Sequence, residues 1–311
     1  MTYDELLTQV SWKPEIIGRR PTPRARVVVG GMGGSALPAH AVRFLDPAFP
    51  VATHRDYGIP DGATSDALYV AISYSGNTAE TLSFAHEAHS RGFSVAAITS
   101  AGGELEKLAR DKGIPYLIVP QGIQPRNALF YLLRSLLSFV GAETLLADLQ
   151  KVSFDALAAE SAASMLAEKL TEAFPLFYAS RRNGFLAYVT KINFNETGKM
   201  PAAANVFPEL NHNEMQSYDT EAPVAVGALA RFVLMHDEDD DVRIKRRMEV
   251  FADLMRKRGR TVVDLPLARG SRAEQLASGW YIAHLAAQAL ALARGANPDA
   301  VPLVEEFKAR L

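Results

Sequence analysis

The sequence predicts an α/β protein with two three-layer sandwich domains, residues 1–150 and 151–311, each a parallel sheet flanked by helices. Short apolar runs alternate with amphipathic helical patterns across residues 27–119, as parallel sheets with crossover helices require. Two of those runs open into glycine- and serine-rich turns, GGMGGSA and SYSGNT, at strand-to-helix junctions. The second half repeats the alternation at 175–179, 232–235 and 261–265, and 311 residues suffice for two cores.

Residues 2–18 carry a helical pattern and end at a proline-rich connector, 21–23. RVVVG (26–30) is a β-branched run of the parallel-strand kind. It opens into a glycine turn with Ser35 at the start of a helix reaching about residue 44. That turn has neither the GxGxxG spacing of a dinucleotide fold nor the GxxxxGK[ST] of a P-loop, so a nucleotide is not implied. After a short strand at 51–53, the run containing Leu68, Val70 and Ile72 reads as a buried strand, and 77–88 as the helix that follows. Between them stand Ser73, Ser75, Gly76 and Thr78. Such a turn suits an anion, because the first amides of a helix lack internal partners and carry the positive end of its dipole.

A strand at 94–98, a helix at 104–111 and a strand at 116–119 follow. QGIQPRNAL then leads into a long helix to about residue 141, with Arg126 in its first turn. A cation there opposes the helix dipole, so its side chain either reaches solvent or faces an anionic ligand. An alanine-rich helix over 148–172 connects to the second half. There a strand at 175–179 ends in SRRNG, a helix runs 183–193, and apolar runs lie at 224–226 and 232–235. A helix at 241–258, a strand at 261–265 and a long helix at 273–294 complete the pattern. HDEDDD (236–241) has the look of a metal site, but acidic residues ahead of a basic helix answer its dipole, and that is the expectation here. Residues 191–218 read as an unusually long, polar connection, which Phe194, Val206, Phe207 and Leu210 indicate is anchored and folded.

A net charge of −2 offers no basic surplus for a nucleic-acid backbone. The absence of cysteine excludes disulfides, thiolate metal sites and cysteine nucleophiles. The first residues carry acids and no continuous apolar core, unlike a signal peptide. Arg134, Glu143 and Asp148 interrupt the apolar stretch 129–149, which reads as buried helix rather than membrane span. A soluble, cytoplasmic protein without a nucleic-acid or membrane partner is expected.

A phosphate cradle, an arginine, a carboxylate and a histidine are the parts needed to isomerise a sugar phosphate between aldose and ketose. A carboxylate can shuttle the proton, a cation such as Arg126 can stabilise the anionic enediolate, and a histidine can open the sugar ring. This chemistry requires no metal, nucleotide or redox cofactor. Read together, GMGGSA (31–36), SYSGNTAET (73–81), PRNAL (125–129), FNETGK (194–199) and PELNHNE (208–214) resemble the bifunctional phosphoglucose/phosphomannose isomerases of the sugar isomerase (SIS) superfamily. The motifs occur in family order over nearly the whole chain.

The resemblance implies two SIS domains, with Gly34, Ser35, Ser73, Ser75 and Thr78 holding the phosphate and nearby sugar oxygens. It implies Glu196 as the proton-shuttling base, Arg126 as the enediolate-stabilising cation and His212 as the ring opener. It also implies a homodimer with the active site at the subunit interface, the histidine arriving from the other subunit, and a contribution from a C-terminal lysine, Lys308 by position. A threonine often found shortly before that lysine is absent from NPDAVPL (297–303). Because that threonine is associated with accepting both C2 epimers, glucose 6-phosphate is more directly supported than mannose 6-phosphate. The rival expectations are a phosphosugar-binding regulator, which would need the cradle without the three reactive groups, and an isomerase of another sugar phosphate.

Overall fold

The computed structural model describes residues 1–219 and 225–310, and the chain divides into two compact units, Met1–Val152 and Ser153–Leu311. In the first, α1 (Tyr3–Ser11) starts at a capping box in which Thr2 and Glu5 satisfy each other's backbone amides. The helix expected over 2–18 stops at Ser11, because Pro14 disfavours helical backbone at the residue before it. Beyond the proline, β1 (Ile16–Ile17) is a short antiparallel edge strand.

The chain continues through β2 (Arg26–Gly30), a 3-10 turn (Gly33–Ala36), α2 (Leu37–Leu45), β3 (Val51–His54), β4 (Ala67–Ser73) and α3 (Ala79–Ser90). Then come β5 (Ser94–Thr99), α4 (Glu104–Lys112), β6 (Tyr116–Ile118), a 3-10 turn (Pro125–Asn127), α5 (Leu129–Val140) and α6 (Glu143–Gln150). The strands form one sheet in the order β1-β6-β5-β4-β2-β3, parallel except for β1. All seven residues of β4 are buried. Tyr69 and Ala71 pack with Phe84 and Ala88 of α3 and Leu105 of α4, and the alternating Leu68, Val70 and Ile72 face the opposite layer. The helix expected over 148–172 is two helices. α6 ends at Gln150, and α7 (Ala156–Leu170) starts afresh where Asp155 accepts a hydrogen bond from the Ala158 amide at 2.9 Å.

The second unit contains α7, β7 (Phe174–Ser180), a 3-10 turn (Arg181–Asn183), α8 (Gly184–Glu196), β8 (Ala203–Phe207) and two further 3-10 turns, Glu209–His212 and Glu214–Tyr218. It continues with α9 (Ala225–Ala228), β9 (Ala230–His236), α10 (Val242–Lys257), β10 (Thr261–Pro266), α11 (Arg272–Ala293) and α12 (Pro302–Lys308). The run expected at 224–226 begins on a residue outside those described and continues into α9. Segment 191–218 is folded, as its apolar anchors imply, and holds the end of α8, the edge strand β8 and the two turns. β8 pairs in parallel with β7, from Leu176↔Ala203 to Ser180↔Phe207. Four of its five residues are only half-buried, so it lacks the apolar signature of an interior strand.

The second sheet is wholly parallel, in the order β10-β9-β7-β8. Among the described residues α11 is the one helix long and apolar enough to cross a membrane by length and composition. Here it is a core helix, burying Leu276, Trp280, Ala283, Ala287 and Leu290 and packing along α7 and α8. Both sheets reverse their winding beside their first long strand. The crevices outside the strand ends therefore open between β2 and β4 in one unit and between β7 and β9 in the other, the positions where open α/β sheets take ligands.

Candidate functional site

In the first unit, β2 ends at Gly30 opposite Ala71, and β4 extends two residues further to Ser73, opposite Thr99. The loops leaving these ends are tied together, because the Tyr74 amide donates to Ser35 Oγ at 3.1 Å. Ser73 is fully buried and donates its hydroxyl to Thr78 Oγ1 at 3.0 Å. Thr78 is the N-cap of α3, yet its side chain makes no capping hydrogen bond. The first-turn amides of that 12-residue helix therefore lack the side-chain acceptor that usually satisfies them, which suits an incoming anion. Ser75 is exposed at the rim and accepts from the Asn77 amide at 3.3 Å.

Gly76 has φ +74°, and a Cβ there would lie 2.7 Å from Gly103 Cα, so this turn has room for glycine alone. Asn77, within SYSGNT but given no role there, accepts from the Glu104 amide at 3.0 Å and so binds the cradle to the start of α4.

The sequence pattern puts Arg126 in the first turn of a long helix. It lies instead in the 3-10 turn Pro125–Asn127, ahead of α5, where the chain must reorient before the helix begins. At 2% exposure it does not reach solvent, and Nη1 donates to Gln124 Oε1 at 3.5 Å. Its backbone lies directly on the cradle: a Cβ at Gly34 would meet Arg126 N and Pro125 O at 2.9 Å. The first unit thus gathers Gly34, Ser35, Ser73, Ser75, Thr78 and Arg126 around one crevice. Gly34→Ala is expected to force the arginine turn away, costing about 1–3 kcal/mol of stability. It should also raise the KM for a phosphosugar at least about tenfold, the loss of roughly 1.4 kcal/mol of binding. Thermal melts and initial rates check this, and wild-type values for both would refute it.

The corresponding crevice of the second unit is filled by the protein's own charges. Asp237, just past β9 and 3% exposed, accepts from Arg182 Nη1 at 3.0 Å, Asn183 Nδ2 at 2.9 Å and Gln275 Nε2 at 3.2 Å. Arg272 Nη1 stands 3.6 Å from the same carboxylate. Burial alone would raise the Asp237 carboxyl, but hydrogen bonds from Asn183 and the Asp239 amide, with the Arg182 charge, hold it below the ordinary range. Burial pushes neighbouring Asp240 up, and burial together with the Arg182 charge brings Arg272 down to about 10.

The HDEDDD stretch therefore divides. Asp241 alone does what was expected of the whole, capping α10 through a 2.8 Å bond from the Arg243 amide, while Asp237 and Asp240 join the buried network. Among the described residues no group of three His, Cys, Asp or Glu side chains could hold a metal ion. The pairing of Asp237 with SRRNG could not be read from sequence, since the partners lie more than fifty positions apart and meet only when β7 and β9 pair.

Glu196, His212 and Lys308 stand on three separate elements of the second unit. Glu196 is the last residue of α8 and half-buried. His212 is exposed at the end of the turn Glu209–His212. The following turn is anchored by Glu214, which accepts from Tyr178 Oη and Asn205 Nδ2. Lys308 ends α12, all of whose residues are exposed.

Residues 159–311 match the family model of the bacterial phospho-glucose isomerase C-terminal SIS domain. Over 305 residues the chain is 33% identical to the bifunctional phosphoglucose/phosphomannose isomerase of Caldicellulosiruptor bescii, covering 92% of this chain and 89% of that one. It is 34% identical over 201 residues to the D-glucosamine-6-phosphate 4-epimerase of Sulfolobus acidocaldarius, covering 63% of this chain and 65% of that one. The fold superposes on a hypothetical protein from Thermus thermophilus with a TM-score of 0.67 at 21% identity, covering 91% of this chain and 82% of that structure. With a near-full-length match at this identity and a cradle built on the ends of a parallel sheet, the chain belongs to the bifunctional phosphoglucose/phosphomannose isomerase family.

Proposed function

We propose that this protein interconverts glucose 6-phosphate and fructose 6-phosphate, and also acts on mannose 6-phosphate, through a cis-enediolate. One observation carries the reading in a member of this family: a buried arginine turn packs directly against the glycine of a hydroxyl- and amide-lined anion crevice. The N-terminal domain holds the phosphate through Gly34, Ser35, Ser75 and Thr78, with Ser73 bracing Thr78. His212, supplied across a homodimer, opens the cyclic sugar. Glu196 takes the C2 proton of the aldose and returns it to C1, so one carboxylate serves both steps. Arg126 stabilises the negative charge that develops on the enediolate oxygens, and Lys308 assists from the C-terminal helix. Removal of the C2 proton erases the configuration at that carbon, so glucose and mannose 6-phosphates converge on the same intermediate. The chemistry moves one proton and needs no cofactor, and the working enzyme is placed in the cytoplasm with its substrates.

The test is a coupled assay in the presence of chelator, with fructose 6-phosphate, mannose 6-phosphate and glucosamine 6-phosphate as separate substrates. Turnover of the first two is expected, with the glucose branch faster because 297–303 contains no threonine. Inactivity on both would sink the reading: binding without turnover would make the protein a sensor, and reaction of glucosamine 6-phosphate alone would align it with the epimerase relative.

A further inference from the structure

We propose that Lys199 is a positioning residue that locks the Glu196 end of α8 to the C-terminal segment carrying Lys308. This inference rests on the reading of Glu196 as the base. Among the described residues Lys199 is the only non-glycine with positive φ, at +52°, a region that side chains other than those of glycine and asparagine seldom occupy. That backbone turns the side chain onto three carbonyl oxygens. Nζ donates to Glu196 O, to Pro298 O at 3.3 Å and to Ala300 O. An ammonium has three N–H groups, one for each.

The first of these oxygens belongs to the last turn of α8, where carbonyls lack intrahelical donors and a cation complements the dipole. The other two lie just before α12, so one charge fixes both the base and the tail. The turn itself has independent support. Thr197 and Gly198 amides donate to Asn193 O at 2.8 and 3.0 Å, the Met200 amide to Phe194 O at 3.0 Å, and Asn195 Nδ2 to Met200 O at 2.9 Å. Removing the ammonium should therefore leave the unit folded while freeing Glu196 and the tail to drift, and a misplacement of about 1 Å at a reacting group can cost on the order of 100-fold in rate.

Two substitutions test the assignment. Lys199→Gly removes the ammonium while suiting the left-handed backbone, and Lys199→Arg keeps the charge on a planar fork that cannot converge on three acceptors. Both are expected to melt cooperatively and to keep the KM for fructose 6-phosphate within about threefold, while kcat falls roughly 10- to 100-fold. Amide hydrogen exchange across 297–308 should quicken in Lys199→Gly. Wild-type kcat in Lys199→Gly, unchanged exchange in the tail, or failure of both variants to fold would overturn the proposal, the last by making Lys199 a purely structural cap. Glu196→Gln is assayed in parallel: if it retains turnover the base assignment fails, whereas the exchange experiment still judges the clamp on its own.

Discussion

Replacing Glu196 with glutamine is expected to lower turnover of fructose 6-phosphate about a thousandfold, within the range attributed to a positioned acid/base group. The amide keeps the shape and hydrogen-bonding reach of the carboxylate but cannot accept and return a proton. KM should stay near wild type, because the groups proposed to hold the phosphate belong to the first unit and are remote in sequence from Glu196. Incubation in deuterated water separates the effects. Wild-type enzyme should introduce deuterium into recovered sugar phosphate, and Glu196→Gln should not. Full activity or undiminished exchange in the variant would remove Glu196 as the base.

Arg126→Met is expected to reduce kcat by about 100- to 1,000-fold, the loss typical when one oxyanion-stabilising donor is deleted. Methionine approximates the apolar stem, so the 3-10 turn on which Arg126 is buried should survive, helped by the bond from Gln9 Nε2 to Asn127 O at 2.9 Å. The diagnostic measurement is affinity for a hydroxamate analogue of the enediolate. If Arg126 acts on the developing charge, analogue affinity should fall in step with kcat while substrate KM changes little. A loss confined to KM would make Arg126 a ground-state binder instead.

The parts of this architecture that could be read in the sequence are those governed by neighbours along the chain. RVVVG and the run into Ser73 announce buried parallel strands because both of their faces are apolar, and the glycines after them announce turns. The elements that escape such a reading depend on distant partners or on single residues. β8 looks irregular because an edge strand needs only partial burial, and Asn205 in its middle serves Glu214 rather than a core. The separation of α6 from α7 falls in KVSFD (151–155), where Asp155 caps the start of α7, and the alanine-rich pattern on its far side hides the break. Arg126 stands out along the chain as a cation in a poor place for a helix dipole, but neither its burial nor the approach of its backbone to Gly34, ninety-two positions away, can be read locally. Lys199 carries no local signal beyond its place in FNETGK, since its partners at 298 and 300 arrive only with the tail.

The anion already built into the second crevice has a consequence for stoichiometry. A chain that repeats one winding pattern twice would ordinarily offer two equivalent berths, and an isotherm would then saturate at two ligands. With Asp237 seated among Arg182, Asn183 and Gln275, that second position already holds a tethered carboxylate, and an isotherm for a phosphosugar is expected to saturate at one ligand per chain. On the proposed reading, the first unit then serves as the receptor and the second, its own crevice closed by an internal charge, is left to present Glu196, His212 and Lys308.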